Sequence, residues 1–112
     1  MPEIENAKMI DLLKAMRGDI MSIEEARNAR LIKEAGAHLQ EIYKLHLANK
    51  KQFTQVEHLL RSLYSAYNFA AALIKEAVVT KKPIQEVDKL DECLEVMINL
   101  CDNVIERLTP KK

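Results

Sequence analysis

The chain has 112 residues with 17 basic and 17 acidic side chains, so no net field draws the whole molecule to nucleic acid or an anionic membrane. Two Gly and three Pro among abundant Ala, Leu, Ile, Glu and Lys favour helices over hairpin turns and point to a single all-α domain. Residues 1–7 carry two glutamates and no apolar block, the pattern of neither a secretion signal nor a mitochondrial presequence, and no apolar run approaches the roughly 18 residues of a membrane span.

Pro2 stands where the first turn of a helix tolerates proline, and Met9, Ile10, Leu12, Leu13 and Met16 follow at helical spacing. Arg17-Gly18-Asp19 then reads as a helix stop, which predicts a short first helix over about residues 3–17. Ser22 and Glu25 form a capping-box pattern that opens a second helix over about 23–48, closed by Asn49-Lys50-Lys51. Its apolar positions change side: Ile23, Ala26 and Ala29 lie nearly opposite Ala35, Leu39, Ile42 and His46. Such a helix bends near Arg30, packs its halves on different neighbours, or is preceded by a separate short helix.

Thr54 and Glu57 repeat the capping pattern ahead of a third helix over about 55–79, with a heptad-like seam of Val56, Leu60, Leu63, Tyr67, Ala70, Ile74 and Ala77. Pro83 opens a fourth over about 84–108, in which Ile84, Val87, Leu90, Leu94, Met97, Cys101, Val104, Ile105 and Leu108 share one face and oppose a largely acidic stripe of Asp88, Glu92, Glu95, Asn99, Asp102 and Glu106. The expected architecture is a four-helix up-down bundle with one short and three long helices. At about 1.5 Å per residue the first helix reaches roughly 22 Å and the others roughly 38 Å. It therefore leaves a groove uncovered near Leu45, Phe53, Val56, Val104 and Leu108, where a second subunit or a partner helix would sit.

Residues 62–74 hold thirteen positions without a charge. This stretch is either a central helix or a self-association face, in which Ser65, Phe69 and Ala72 admit a neighbouring helix and Asn68 sets register.

Signatures of chemistry are sparse. Glu34, His38 and Glu41 share one helical face at ligand spacing, which could suit zinc, but a solvated polar face with helix-stabilising pairs is the better reading because no metal motif surrounds them. His46 falls on an apolar face, as a core histidine or a proton carrier, and His58 lies on a polar face. Cys93 and Cys101, eight apart on one helix, are separated by roughly 12 Å, too far to pair, and follow a core pattern without a nearby base. Reduced thiols make a cytoplasmic setting the expectation. Arg17-Gly18-Asp19 matches an adhesion tripeptide, a three-residue match that chance supplies often.

Lys50, Lys51, Lys111 and Lys112 gather at one bundle end, where they could contact phosphate or an acidic protein, although no aromatics accompany them for base stacking. The defining residues of helix-turn-helix, EF-hand, di-iron, HEPN-type ribonuclease and tandem-repeat proteins are absent. The sequence thus suggests a non-enzymatic interaction module without metal or cofactor that forms a homodimer or other homo-oligomer. Leu45, Phe53, Val56, Ser65, Asn68, Phe69, Ala72 and Leu108 are its candidate contacts. A nucleic-acid-binding accessory using the lysine-rich end is the alternative.

Overall fold

Four apolar seams with heptad spacing, one on each helix, set the architecture. A computed structural model describes residues 2–26, 31–81 and 87–109. The helices are α1 (Pro2–Ala26), α2 (Leu31–Ala48), α3 (Glu57–Thr80) and α4 (Val87–Leu108), with a 3-10 turn at Thr54–Val56 leading into α3. The seams are Met9-Leu13-Met16-Ile20-Ile23 on α1 and Ile32-Ala35-Leu39-Ile42-His46 on α2. Leu60-Leu63-Ala70-Ile74 follows on α3 and Leu90-Leu94-Met97-Cys101-Val104-Leu108 on α4. Alternating steps of three and four, with the half-buried Tyr67 between Leu63 and Ala70 on α3, keep each stripe turned to one side, and together they form one core.

Neighbouring helices run antiparallel. The Gln52 amide, in the turn after α2, donates to Asn6 Oδ1 near the start of α1 at 2.8 Å, while Asp19 of α1 meets His38 of α2 at 2.6 Å. Arg17 Nε reaches Asp102 of α4 at 2.6 Å. The all-α four-helix bundle expected from the sequence is therefore present, but its first helix is not short.

The stop expected at Arg17-Gly18-Asp19 does not occur, because α1 continues through it to Ala26. Gly in a helix interior costs about 1 kcal/mol against Ala, whereas burying an Ile side chain is worth about 1.5–3 kcal/mol. Ile20 and Ile23, at 0% and 4% exposure, lie beyond the glycine and gain that burial only if the helix continues. Arg17 and Asp19 tie the same turn to α4 and α2. The second helix accordingly begins at Leu31 rather than near residue 23. Its apparent change of face arises because Ile23 and Ala26 belong to α1; the suspected bend at Arg30 lies outside the described residues.

Neither capping box forms. Ser22 is inside α1, and the Thr54 hydroxyl donates back to the carbonyls of Lys50 and Lys51. α3 starts after Val56 without a side-chain cap and ends at Lys81, whose φ of 55° is the left-handed conformation that terminates helices. Lys82 and the helix start expected at Pro83 lie outside the described residues. Among the described residues no helix is long and apolar enough to cross a membrane.

Gly18 has open space where a Cβ would stand. Gly18→Ala should therefore raise the unfolding free energy by about 0.5–1 kcal/mol through helix propensity. A denaturant titration checks this, and a loss of stability would contradict the uninterrupted α1.

Candidate functional site

The bundle closes unevenly. α1 packs along both α2 and α4, and α4 along α3, whereas α2 and α3 approach only locally. The gap between them is a groove of about 260 Å³ lined by Gly36, Leu39, Gln40 and Tyr43 from α2 and by Tyr64, Tyr67 and Asn68 from α3. All three tyrosines of the chain are in this lining, and none of the seven residues is charged.

Each tyrosine has a distinct role at the seam. The Tyr67 hydroxyl donates to the Ile32 carbonyl at 3.1 Å, across a point where α2 presents only Gly36. A Cβ on Gly36 would overlap that hydroxyl, so the glycine is there for close approach rather than for an unusual backbone angle. Tyr43 and Tyr64 meet edge to face, with centroids 5.4 Å apart and planes at 82°. The Tyr64 hydroxyl also lies 3.1 Å from His46 Nδ1. Burial raises the pKa of both Tyr64 and Tyr67, so their phenols stay protonated and able to donate.

His46 is 3% exposed, and its Nε2 has no hydrogen-bond partner. Glu57 Oε1 stands 3.9 Å from that atom and is also held by Arg61 at 3.2 Å. Burial lowers the His46 pKa, outweighing the opposite pull of Glu57, while Arg61 and Lys50 push it lower still.

The groove continues onto the back of α3. Ser65, Asn68, Phe69 and Ala72 are exposed and follow one another at i, i+3, i+4 and i+7, forming a single stripe that joins the groove at Asn68. Phe69 is 46% exposed; on α2, Tyr43 at 46% and Leu47 at 44% line up at i and i+4. The uncharged stretch of the third helix thus divides: Leu63, Ala70 and Ile74 enter the core, and this stripe faces outward.

The remaining candidates are dispersed. The groove expected at the far end of the bundle is filled, because α1 reaches it and Phe53, Val56 and Val104 are fully buried. Leu108 is 8% exposed and Leu45 packs half-buried against the core, so these residues form the bundle's own interior. Lys50 and Lys51 are exposed in the turn after α2, while Lys111 and Lys112 lie outside the described residues. An open depression near that end is lined by Asn6, Gln55, Asn103, Glu106, Arg107, Leu108 and Thr109, without either lysine of the turn.

Glu34, His38 and Glu41 do not assemble into a ligand set. His38 is engaged by Asp19, Glu41 pairs with Lys44 at 3.5 Å, and no metal-holding group of three or more occurs among the described residues. The Cys101 thiol is pushed up to about 12 by burial and by Asp102, and Cys93, also raised by burial, donates to the Ala66 carbonyl at 3.6 Å. Both thiols are thus poor nucleophiles.

Sequence reasoning missed the tyrosine seam. A signal was present: Tyr43 and Tyr64 each follow a core residue, Ile42 and Leu63, so each sits at the margin of a helix's apolar stripe. Compared with known proteins, the chain matches no family model, no curated protein and no solved structure.

Proposed function

We propose that the chain is a binding protein without catalytic activity, a helical interaction module that self-associates through the tyrosine seam and the outer stripe of α3. One observation carries this reading: of the five aromatic residues, Tyr43 and Phe69 are exposed on this uncharged surface beside the half-buried Tyr64 and Tyr67, and only Phe53 is fully buried. Aromatic side chains provide large contact area at low entropic cost, and interface centres are enriched in them and depleted of charge.

The occupant that fits is a second copy of the chain. An uncharged face best accepts another uncharged face, since a charged partner surface would lose its hydration without gaining an opposite charge. A two-fold axis provides that match by setting the same patch against itself. The raised thiol pKa values of Cys93 and Cys101 support a non-enzymatic role.

Light scattering on a sizing column, over a range of concentrations, tests the proposal. The wild-type chain should run as a dimer and Phe69→Glu as a monomer with unchanged helical circular dichroism. A wild-type monomer at every concentration, or identical masses for wild type, Phe69→Glu and Tyr43→Glu, would overturn it.

A further inference from the structure

We infer that residues 49–56 are a hinge at which α2 and α3 fuse into one helix, so that two copies exchange their α1–α2 pairs in a domain-swapped dimer. The interface of that dimer is the bundle's own core. The inference therefore stands apart from the outer stripe of α3 and from the self-association proposed through it.

The core seam does not stop at the turn. His46, Asn49, Phe53, Val56 and Leu60 keep steps of three and four through it, joining the α2 seam that starts at Ile32 to the α3 seam that ends at Ile74 in one unbroken heptad phase. Phe53 and Val56 are fully buried and Asn49 is half-buried, so the phase is kept in burial as well as in spacing. Nor does the backbone carry a stop. Between Gly36 and Pro83 the chain has neither Gly nor Pro, and no residue of the turn has a positive φ, whereas α3 ends at the left-handed Lys81. Phe53, at φ −102° and ψ 17°, and Val56, at φ −113° and ψ 6°, stand within about 60° of helical values in both angles. The turn's hydrogen bonds are helix-like already: the amides of Asn49, Gln52 and Val56 donate three residues back, and that of Phe53 four. Neither the 3-10 turn nor α3 has a side-chain cap. Rotation at Phe53 and Val56 restores the four-residue ladder and gives one helix over 31–80, about 75 Å long against the closed chain's longest extent of 48 Å.

A chain opened at this hinge keeps α1 on α2 and α3 on α4 but parts α1 from α4 and undoes the α2–α3 seam. Both core faces then lie bare, and a second opened copy is the occupant that supplies both. The pairs His46–Tyr64 and Gly36–Tyr67 have their midpoints within the turn, so a two-fold axis through it re-forms each of them between chains. Closed monomer and swapped dimer thus share their core contacts and differ at the hinge. In dilute solution the closed form wins, because its two halves meet at an effective concentration on the order of millimolar. Concentrated refolding favours the dimer.

The test is made in a Phe69→Glu background, which removes an outer-face dimer where one forms and otherwise alters only an exposed side chain. Refolded from denaturant at about 1 mM, this chain should give a dimer by light scattering that persists on dilution. Asn49→Ala with Thr54→Ala raises helix propensity across the hinge and should increase the dimerisation constant about tenfold or more. Lys50→Gly with Lys51→Gly, at exposed positions, should decrease it about tenfold or more. Connectivity is read between α1 and α4, where Arg17 Nε lies 2.6 Å from Asp102. Arg17→Lys places there an amine that a carbodiimide couples to Asp102. When isotope-labelled and unlabelled chains are refolded together, the swapped dimer yields that amide between chains of unlike label. A closed monomer or an outer-face dimer yields it only within one chain. The inference is overturned by a monomer at every refolding concentration, by a dimer whose cross-link stays within single chains, or by hinge variants that fail to move the dimerisation constant in opposite directions. The wild type folded at low concentration reports on the outer face alone, so the two readings fail separately.

Discussion

Phe53→Ala should lower the unfolding free energy by about 3–5 kcal/mol, seen as a fall in denaturant midpoint at constant slope. Phe53 is fully buried, although it lies in the turn between α2 and the 3-10 segment rather than in a helix. Its amide donates to the Asn49 carbonyl at 3.3 Å and its carbonyl accepts from Val56 at 3.1 Å. The ring thus anchors the connection between two helices that otherwise touch little. For a chain of this length the whole stability is roughly 6–17 kcal/mol, so this one truncation removes a large share. A residue that served a partner in an open groove would behave differently: its removal would spare the monomer and weaken only assembly. A change below about 1 kcal/mol would therefore contradict the filled bundle end and restore the groove.

Gly36→Ala should destabilise by about 1–2 kcal/mol, opposite in sign to Gly18→Ala, although both glycines sit within helices. Helix propensity alone favours the alanine by about 1 kcal/mol. Against this, the new methyl displaces the Tyr67 hydroxyl from the Ile32 carbonyl, losing a hydrogen bond worth about 0.5–1.5 kcal/mol. It also forces a stiff ring outward, and overpacking typically costs 1–3 kcal/mol. The loss exceeds the gain. In a Tyr67→Phe background the hydroxyl is absent, so Gly36→Ala should cost less than in the wild type. The ring carbon at 3.0 Å still keeps the position tight. A double-mutant cycle by denaturant titration measures the coupling, and additive effects would show that the two residues do not meet across the seam.

Two local rules led away from the structure. A glycine between Arg17 and Asp19 carries a small intrinsic helix penalty, and a Ser or Thr three residues before a Glu carries a small intrinsic capping preference. Each is worth about 1 kcal/mol and is overridden at Gly18 and Ser22 by the stripe of core residues that runs through them, while the Thr54 hydroxyl is taken instead by the carbonyls of Lys50 and Lys51. The stripe was legible on α1, since Met9, Leu13, Met16, Ile20 and Ile23 keep steps of four and three across Gly18. Giving that continuity more weight than the interruption yields the full helix and removes the open groove built on a short one.

By itself the sequence determined the all-helical class, the four apolar seams and the uncharged face of α3, because a 3.6-residue period and the burial of apolar side chains act within each segment. Tertiary structure alone decided which helix pairs close fully and which remain apart. That depends on side chains meeting across helices: Tyr67 against Gly36, Tyr64 against His46, Arg17 against Asp102. Such pairs lie 18 to 85 residues apart in the chain, and no local pattern records them. Their geometry turns three tyrosines and one core histidine into a seam, because a polar group taken from water must find its partner wherever the fold places one.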